Sequence, residues 1–537
     1  MAKFSGTNTK TRPGSGPLIT GQTKLATHEG GSGFASDAKT ELFRLAVTNM
    51  VGEDTFYEAA SDRDKRFKTL IHKVSVADPA WMRSFIPWLR NTANMRSASV
   101  VAAVEFSMAL RGVDGTRAIR IEAIDLACQR ADEPAEVLGY TLAHYGRALP
   151  AVVKQGVARA ASRLYNEYSA LKYDGGSRGI RMGDVIELTH PRAKDKAQDA
   201  LFKHLLDRRH GHFDFAGIEA LPKLPKLTAA YSLDSTPVEL RRALLRDEGP
   251  EALSEAGYTW ERLSGWLPGG MDAEAWEAII PSMGYMALLR NLRNFEQAKV
   301  DKAVLTQVAE RLSDPEQVVK SRQFPYRFWS AFKNSGTMFF GPALEAALEG
   351  SVANIPTFKG RTLVLCDTSH SMTAAVSGRS KVQRFEIAGL FASAVAAHSD
   401  GVDLIMYANS GYQIPIQVSV MRTIQSIASQ IGRVGYGTET WPTARKFYNG
   451  HDRVVVFTDM QDHPDNPGQW GHNGEAAANA MFKDVPVYVW DLAGYEASNI
   501  DTSHPGHYLL SGFTDACFRM VPLLESSKSA DWTKLFS

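Results

Sequence analysis

The residues whose types and spacing best suit chemistry are Asp367, Ser369 and Ser371, an Asp-x-Ser-x-Ser loop that follows directly on the apolar run Leu363 to Cys366. A buried parallel strand that delivers one carboxylate and two hydroxyls at its C-terminal end offers hard oxygen donors to a cation such as Mg²⁺. Downstream, Gly435-Tyr436-Gly437-Thr438 supplies another hydroxyl, and Arg453 to Asp459 is a second apolar strand ending in a carboxylate. Asp367, Ser369, Ser371, Thr438 and Asp459 together make a donor set for a divalent cation, with a coordination position left for a carboxylate or phosphate from a partner. The competing, purely structural use of Ser369 and Ser371 is to cap the following helix. A hydrolase would hold its cation with Asp367, Asp459 and Asp462 and use His370 or His463 as acid or base. No paired-metal carboxylate cluster or Ser-His-Asp constellation accompanies them, so the expectation is a protein that is not an enzyme.

The elements that must position these residues read as alternating strands and helices. Leu363 to Cys366, Val402 to Tyr407, Val454 to Thr458 and Val485 to Trp490 are short β-branched or aromatic runs. Between them lie helical stretches at Arg384 to His398, Met421 to Ile431, Thr440 to Tyr448 and Gly474 to Phe482. This alternation predicts a doubly wound parallel sheet, in which ligands bind at the carboxyl ends of the strands, where Asp367 and Asp459 fall.

At 537 residues the chain exceeds one core. A net charge of +1, with 22% charged residues, excludes a globally basic protein, so nucleic-acid contact must come from a local patch. Cys128, Cys366 and Cys517 are far apart in apolar surroundings, which suits reduced thiols and a cytoplasmic location. No apolar run reaches the roughly 18 residues of a membrane span. Residues 1–34, rich in Gly, Ser, Thr and Lys, read as a disordered tail without the apolar centre of a secretory signal.

From Asp37 to Val352 the periodicity is helical, with amphipathic segments at Ala38 to Met50, Pro79 to Thr92, Ser97 to Arg111, Gly115 to Arg130 and Leu149 to Tyr168. More follow at Val238 to Leu245, Ala273 to Ile280, Gly284 to Phe295, Val304 to Leu312 and Phe324 to Phe332. Helices that cannot each bury a face alone stack pairwise, as a HEAT-like solenoid or a compact bundle. Basic residues concentrate between Lys172 and His212, including Arg178, Arg181, His190 and Arg192, with glycines beside Arg178 and Arg181 that let backbone approach a phosphate. The alternative use of these charges is a solvated face of i,i+4 ion pairs. His204, His210 and His212 read as surface residues, without the company zinc requires. In Met286 to Phe295 one face is apolar, leaving Arg290, Asn291, Arg293 and Asn294 for phosphates and base edges.

The order strand, Asp-x-Ser-x-Ser loop, helix, Gly-Thr loop, strand-Asp resembles the metal-ion-dependent adhesion site (MIDAS) of von Willebrand factor A domains. Together with Glu41 to Met50, Asp184 to His190 and the string Ala287-Leu288-Leu289-Arg290-Asn291-Leu292, it makes the chain similar to the Ro ribonucleoproteins. That resemblance implies a multidomain protein: an all-α HEAT-like helical repeat ring, the TROVE domain, over residues 35–355, followed by an α/β doubly wound von Willebrand A domain over 356–537. It implies binding of small noncoding Y-type RNA and of single-stranded 3′ ends of misfolded or structured RNA, in RNA quality control or processing. Partners would include an exoribonuclease and an acidic protein ligand at a Mg²⁺ site, around a monomer with no membrane contact. By motif position Lys172, Arg178 and His190 match RNA-contacting residues, although extra length near Gly175-Gly176 leaves Arg178 and Arg181 as alternatives. Where the family has Gly-Gly-Thr-Asp, this chain has Tyr436-Gly437-Thr438-Glu439. The rival reading is a metal-dependent protein-recognition adaptor whose helices serve only as scaffold.

Overall fold

The computed structural model describes residues 16–48, 51–175, 179–212, 223–335, 338–353, 355–378, 380–417, 419–464, 481–482, 484–504, 506–514, 518, 521 and 532–536. They form two compact units, one drawn from 1–70, 324–326 and 351–537, the other from 71–323 and 327–350.

The first unit is built on a sheet of six strands: β3 (Phe358–Asp367), β4 (Ser399–Tyr407), β5 (Gly411–Gln413), β6 (Arg453–Thr458), β7 (Val487–Asp491) and β8 (His507–Ser511), in the order β5-β4-β3-β6-β7-β8. All neighbours are parallel except β5, which returns antiparallel along the edge of β4. Leu363 to Asp367 are fully buried, as a central parallel strand covered on both faces requires. The helix Arg384–Ala397, buried along its length, packs on β3, β4 and β6, and Thr440–Phe447 packs on β3 and β4. The four expected strands are present. β5 and β8 were not foreseen, β5 because three residues carry no periodicity. The expected helix Gly474 to Phe482 lies almost wholly outside the described residues.

The second unit is helical, with Pro79–Asn91, Arg96–Ala109, Arg117–Ala127 and Ala151–Leu164 near their expected places and consecutive helices packed together. Side-chain caps set the starts: Asp78 accepts from Trp81 N at 3.0 Å, Asp272 from Ala275 N at 3.0 Å and Asp314 from Gln317 N at 2.9 Å. The segment expected as one helix over Leu149 to Tyr168 breaks after Leu164. There Asn166 and Ser169 form a reciprocal capping box that starts a new helix, Glu167–Tyr173. Helices without a counterpart among the expected segments include Glu133–Tyr145, Lys196–His210 and Pro225–Asp234. Among the described residues no helix is long and apolar enough to cross a membrane.

The expected tail over 1–34 is corrected from residue 18 on. Strands β1 (Thr20–Ala26) and β2 (Ser32–Ser36) pair antiparallel. Phe34 exchanges two backbone hydrogen bonds with Ser498, of 2.7 and 3.0 Å, and the Thr20 and Thr502 side chains each accept the other's backbone N–H at 2.8 Å. The helix Ala38–Thr48, expected to open the helical region, belongs instead to the sheet unit, so the expected boundaries at 35 and 356 do not divide the chain as the units do. Its anchor is Arg44, fully buried, whose Nε lies 2.7 Å from Asp491 Oδ2 at the end of β7. A second guanidinium nitrogen donates to the Tyr495 carbonyl at 2.9 Å, and Asp491 Oδ1 accepts from the backbone of Ala493 and Gly494. A buried pair so satisfied is costly to break from one side. Arg44→Met should therefore lower unfolding free energy by about 3–5 kcal/mol in urea denaturation, whereas a loss under ~1 kcal/mol would deny the anchor its weight.

Candidate metal centre and nucleic-acid interface

Asp367 ends β3, and Asp459 follows β6 directly, so two parallel, paired strands deliver both carboxylates to one edge of the sheet. Neither is exposed, and Ser369, Ser371 and Thr438 are buried with them. Asp367 accepts from Ser369 N at 2.9 Å and from Thr458 Oγ1 at 2.6 Å, and the Ser369 and Ser371 hydroxyls lie 3.3 Å apart. The Gly-Thr loop is tied to the same place. His370 N donates to the Tyr436 carbonyl at 2.9 Å, His463 N donates to the Thr438 carbonyl at 3.0 Å, and Asn409 Oδ1 accepts from both Tyr436 N and Gly437 N at 2.9 Å. Met460 adopts a left-handed φ of 64° immediately after Asp459, a strained position of the kind found at sites held by their surroundings.

Electrostatically the edge is unbalanced. Burial pushes Asp367 and Asp459 above the ordinary carboxylate range, and the charge of Asp367 raises Asp459 further. Asp459 Oδ2 is buried without a hydrogen-bond partner among the described residues. A divalent cation is what the resemblance to A domains implies, and these donors fit one: three hydroxyls and two carboxylates, one of which carries the orphaned buried oxygen. The described residues contain no cluster of three or more His, Cys, Asp or Glu. The neutral hydroxyls are what complete the set.

Sequence reasoning missed the residues that hold the donors: Thr458, Asn409 and Gln461, whose N donates to Asp459 Oδ1 at 3.3 Å. It named Asp462 only as part of a hydrolase, whereas the structure places it in a buried network beside Thr440, at 2.5 Å, and Asn499, at 3.2 Å. His370 sits edge-on to Phe56 and Tyr436, with ring centroids 5.2 and 6.1 Å away, turned toward aromatics and not toward either serine.

The predicted RNA residues are distributed unevenly over the helical unit. Lys172 is exposed, with its ammonium 5.7 Å from the Tyr168 ring and 5.4 Å from that of Tyr173. It lines a pocket of 320 Å³ together with Tyr168, Tyr258, Trp260, Tyr285 and Met286. Met286 also borders a second pocket, of 220 Å³, lined by Arg290, Arg293, Arg327, Ser330 and Asn334. The structure thus brings Lys172, Arg290 and Arg293 onto adjoining pockets and adds Arg327, whose helix, rich in aromatic residues, carries no basic cluster in sequence. His190, in a left-handed C-cap with φ 49°, lines a separate pocket of mixed charge with Glu187, Asp199, Lys203 and Asp207. Arg192 is exposed away from all three, and Arg178 lies outside the described residues.

Arg181 caps a helix and lies 3.0 Å from the buried carboxylate of Asp174, which Arg208 also approaches at 3.2 Å, so its charge is partly engaged within the fold. Two expectations of exposure are corrected. Asn291 is buried, donating to the Ala287 carbonyl at 2.8 Å and accepting from Asn294 at 2.7 Å, which removes it from the surface. His204 is buried with Nε2 2.9 Å from the Tyr231 hydroxyl, and burial pushes its pKa down to about 4.

Asp462 supplies a pH test. Burial holds its carboxyl at about 8, against 3.8 for the free group, with the nearby charge of Asp367 contributing. The folded state therefore binds the proton that the unfolded chain has lost over that interval, so this stabilisation is complete below the unfolded value and disappears as pH rises through about 8. In Asp462→Asn the decline in unfolding free energy between pH 5 and pH 8, measured without divalent ions, should become shallower; an unchanged profile would place the titration elsewhere.

Residues 224–339 match the TROVE domain family. The chain is 28% identical over 221 residues to RNA-binding protein RO60 of Deinococcus radiodurans, an alignment covering 38% of each chain. It is 33% identical over 119 residues to telomerase protein component 1 of Mus musculus, and 30% over 165 residues to that of Rattus norvegicus. Those alignments cover 20% and 29% of this chain but only 4% and 6% of the telomerase components, so the chain matches less than half of each of these relatives. The fold is also that of the crystal structure of the Deinococcus radiodurans RO (RSR) protein, with TM-score 0.57 and 17% identity over 91% of this chain and all of that one. A helical region whose residues 224–339 match the TROVE domain, together with an α/β unit with strand-end carboxylates, gives this chain the fold of the Ro protein and a partial sequence similarity to it.

Proposed function

We propose that the chain binds single-stranded RNA along the two adjoining pockets of its helical unit. The observation that carries this reading is the smaller pocket, whose charged lining residues are three arginines, Arg290, Arg293 and Arg327, with no carboxylate among them. Guanidinium groups pair with phosphate in two-pronged geometry, and the aromatic rings of the neighbouring pocket offer faces on which unpaired bases stack. A phosphate chain laid from Lys172 toward Arg293 would release counterions without base readout, so affinity depends on salt more than on sequence. The name of the Deinococcus relative, an RNA-binding protein, points the same way.

The RNAs we propose are those the Ro resemblance implies: small Y-type RNAs, and misfolded or structured RNAs with free single-stranded 3′ ends, handled in quality control together with an exoribonuclease. No reaction is assigned to the protein itself. His370 faces aromatic rings, and the serines beside it face each other, an arrangement suited to ligation and not to nucleophilic attack. For the sheet unit we propose Mg²⁺ held by Asp367, Ser369, Ser371, Thr438 and Asp459, with a carboxylate on the face they leave open. The buried free thiols Cys128 and Cys366 support a reducing, cytoplasmic setting.

Arg290→Ala combined with Arg293→Ala should weaken binding of a tailed hairpin RNA about tenfold or more, and should flatten the salt dependence by roughly 1.4 in log–log slope, the value for two lost phosphate contacts on a single strand. Fluorescence anisotropy at several salt concentrations reads both. Unchanged affinity and slope would move the RNA off these pockets.

A further inference from the structure

The turn between β1 and β2 lies against the loop that follows Asp459. Thr27 Oγ1 donates to the Asp462 carbonyl at 2.6 Å and accepts from Gly31 N at 2.8 Å, while His28 N donates to Gln461 Oε1 at 2.8 Å. The approach is close enough that a Cβ on Gly31 would collide with the carbonyl oxygens of Asp462 and His463. Glycine is the residue that permits this seat. The seat places Glu29 beside the candidate metal centre. The Tyr57 hydroxyl donates to Glu29 Oε1, and the Ser371 side chain lies near the same phenol. Glu29 Oε2 lies 3.5 Å from His463 Nδ1.

Aromatic packing fixes this arrangement. The His28 ring stacks on Tyr57 with centroids 4.9 Å apart and planes within 2°, Tyr495 packs edge-on to both, and Phe56 meets His370 inside the Asp-x-Ser-x-Ser loop. Gly378 N donates to Glu53 at 2.8 Å, which holds the segment preceding Tyr57 on the same unit. Burial, the bond to Glu29 and the negative charge of Asp459 together push the Tyr57 phenol above its ordinary range, so the ring stands within the electrostatic reach of both acids. Glu29 is thus separated by the Tyr57 hydroxyl from the neighbourhood of Ser371, in the unit where Asp459 Oδ2 is buried without a partner among the described residues. A cation held by Asp367 and Asp459 has room for a further anionic ligand, and Glu29 is a carboxylate that these contacts hold beside the same loops.

We propose that Glu29 is the chain's own acidic ligand for the cation site. The carboxylate that completes the donor set of Asp367, Ser369, Ser371, Thr438 and Asp459 then comes from the β1–β2 turn and not from a partner protein. The inference rests on the cation reading of that site and specifies its occupant. Two consequences follow. A bound divalent ion staples the N-terminal hairpin onto the sheet unit, and carboxylates from other molecules are shut out while the turn is seated.

The test uses the full chain and Mn²⁺ as probe, followed by titration calorimetry and by hydrogen exchange of peptides covering residues 27–31 and 53–58. The wild-type protein should take up Mn²⁺ with increased protection of both peptides and with no effect of added acetate on affinity. Glu29→Gln should bind Mn²⁺ about ten- to a hundredfold more weakly, gain no protection, and recover affinity when acetate is supplied. Tyr57→Phe, which keeps the stacked ring but loses the donor that aligns Glu29, should shift affinity in the same direction by less. Wild-type affinity in Glu29→Gln, or acetate strengthening Mn²⁺ binding to the wild type, overturns Glu29 as ligand while leaving the cation site intact. Failure of the wild type to take up Mn²⁺ at all overturns the cation reading and this inference with it.

Discussion

Two buried carboxylates on neighbouring parallel strands are the constraint around which the sheet unit is organised. Asp367 and Asp459 are withdrawn from water at the carboxyl edge of β3 and β6, where the apolar strands that carry them leave no solvent to share their charge. Such a pair is tolerated through protons, hydrogen bonds or a cation. The hydrogen bonds from Ser369 N and Thr458 to Asp367 and from Gln461 N to Asp459 satisfy part of the demand and, among the described residues, leave Asp459 Oδ2 without a partner. The loops around the edge answer the remainder. Asn409 folds the Gly-Thr loop inward, Met460 accepts a strained backbone, and the β1–β2 turn sets Glu29 and His28 against Tyr57 beside the same loops.

The helical unit works by a different economy of charge. Its basic residues are numerous, but many are consumed in folding: Arg181 and Arg208 hold Asp174, and Arg90 and Arg96 hold Glu133. What remains for a polyanion is set by position, not by count. Arg290 and Arg293 project from a helix whose other face, through Leu288, Leu292 and Phe295, is core, and that packing aims them into a pocket shared with Arg327. A chain of net charge +1 can in this way present a locally positive groove beside stacking faces.

Much of this was legible in the sequence for physical reasons. Strands buried on both faces read as continuous apolar runs, and residues that end such runs with oxygen donors stand out against them, so Asp367, Ser369, Ser371, Thr438 and Asp459 were visible together. The β1–β2 hairpin was not, because its Gly, Ser and Thr composition carries no core pattern. Its stability comes from docking to residues some 460–480 positions away, through Phe34 with Ser498 and Thr20 with Thr502, and from the Arg44–Asp491 pair that follows. Long-range docking of this kind leaves no local signature. The same holds for Glu29 and Tyr57, whose partners are set by the fold. Asn291 and His204 misled in the opposite direction, since polar side chains satisfied inside a helical core look from sequence like surface ones.

The most direct measurement of whether the carboxylate pair is a cation site is anomalous diffraction from crystals grown with saturating Mn²⁺. A single strong peak enclosed by Asp367, Ser369, Ser371, Thr438 and Asp459 is the expected result. Refined density in which Asp367 and Asp459 hydrogen-bond to each other or to water, with no anomalous signal between them, would contradict it and leave the pair as a protonated element of the core.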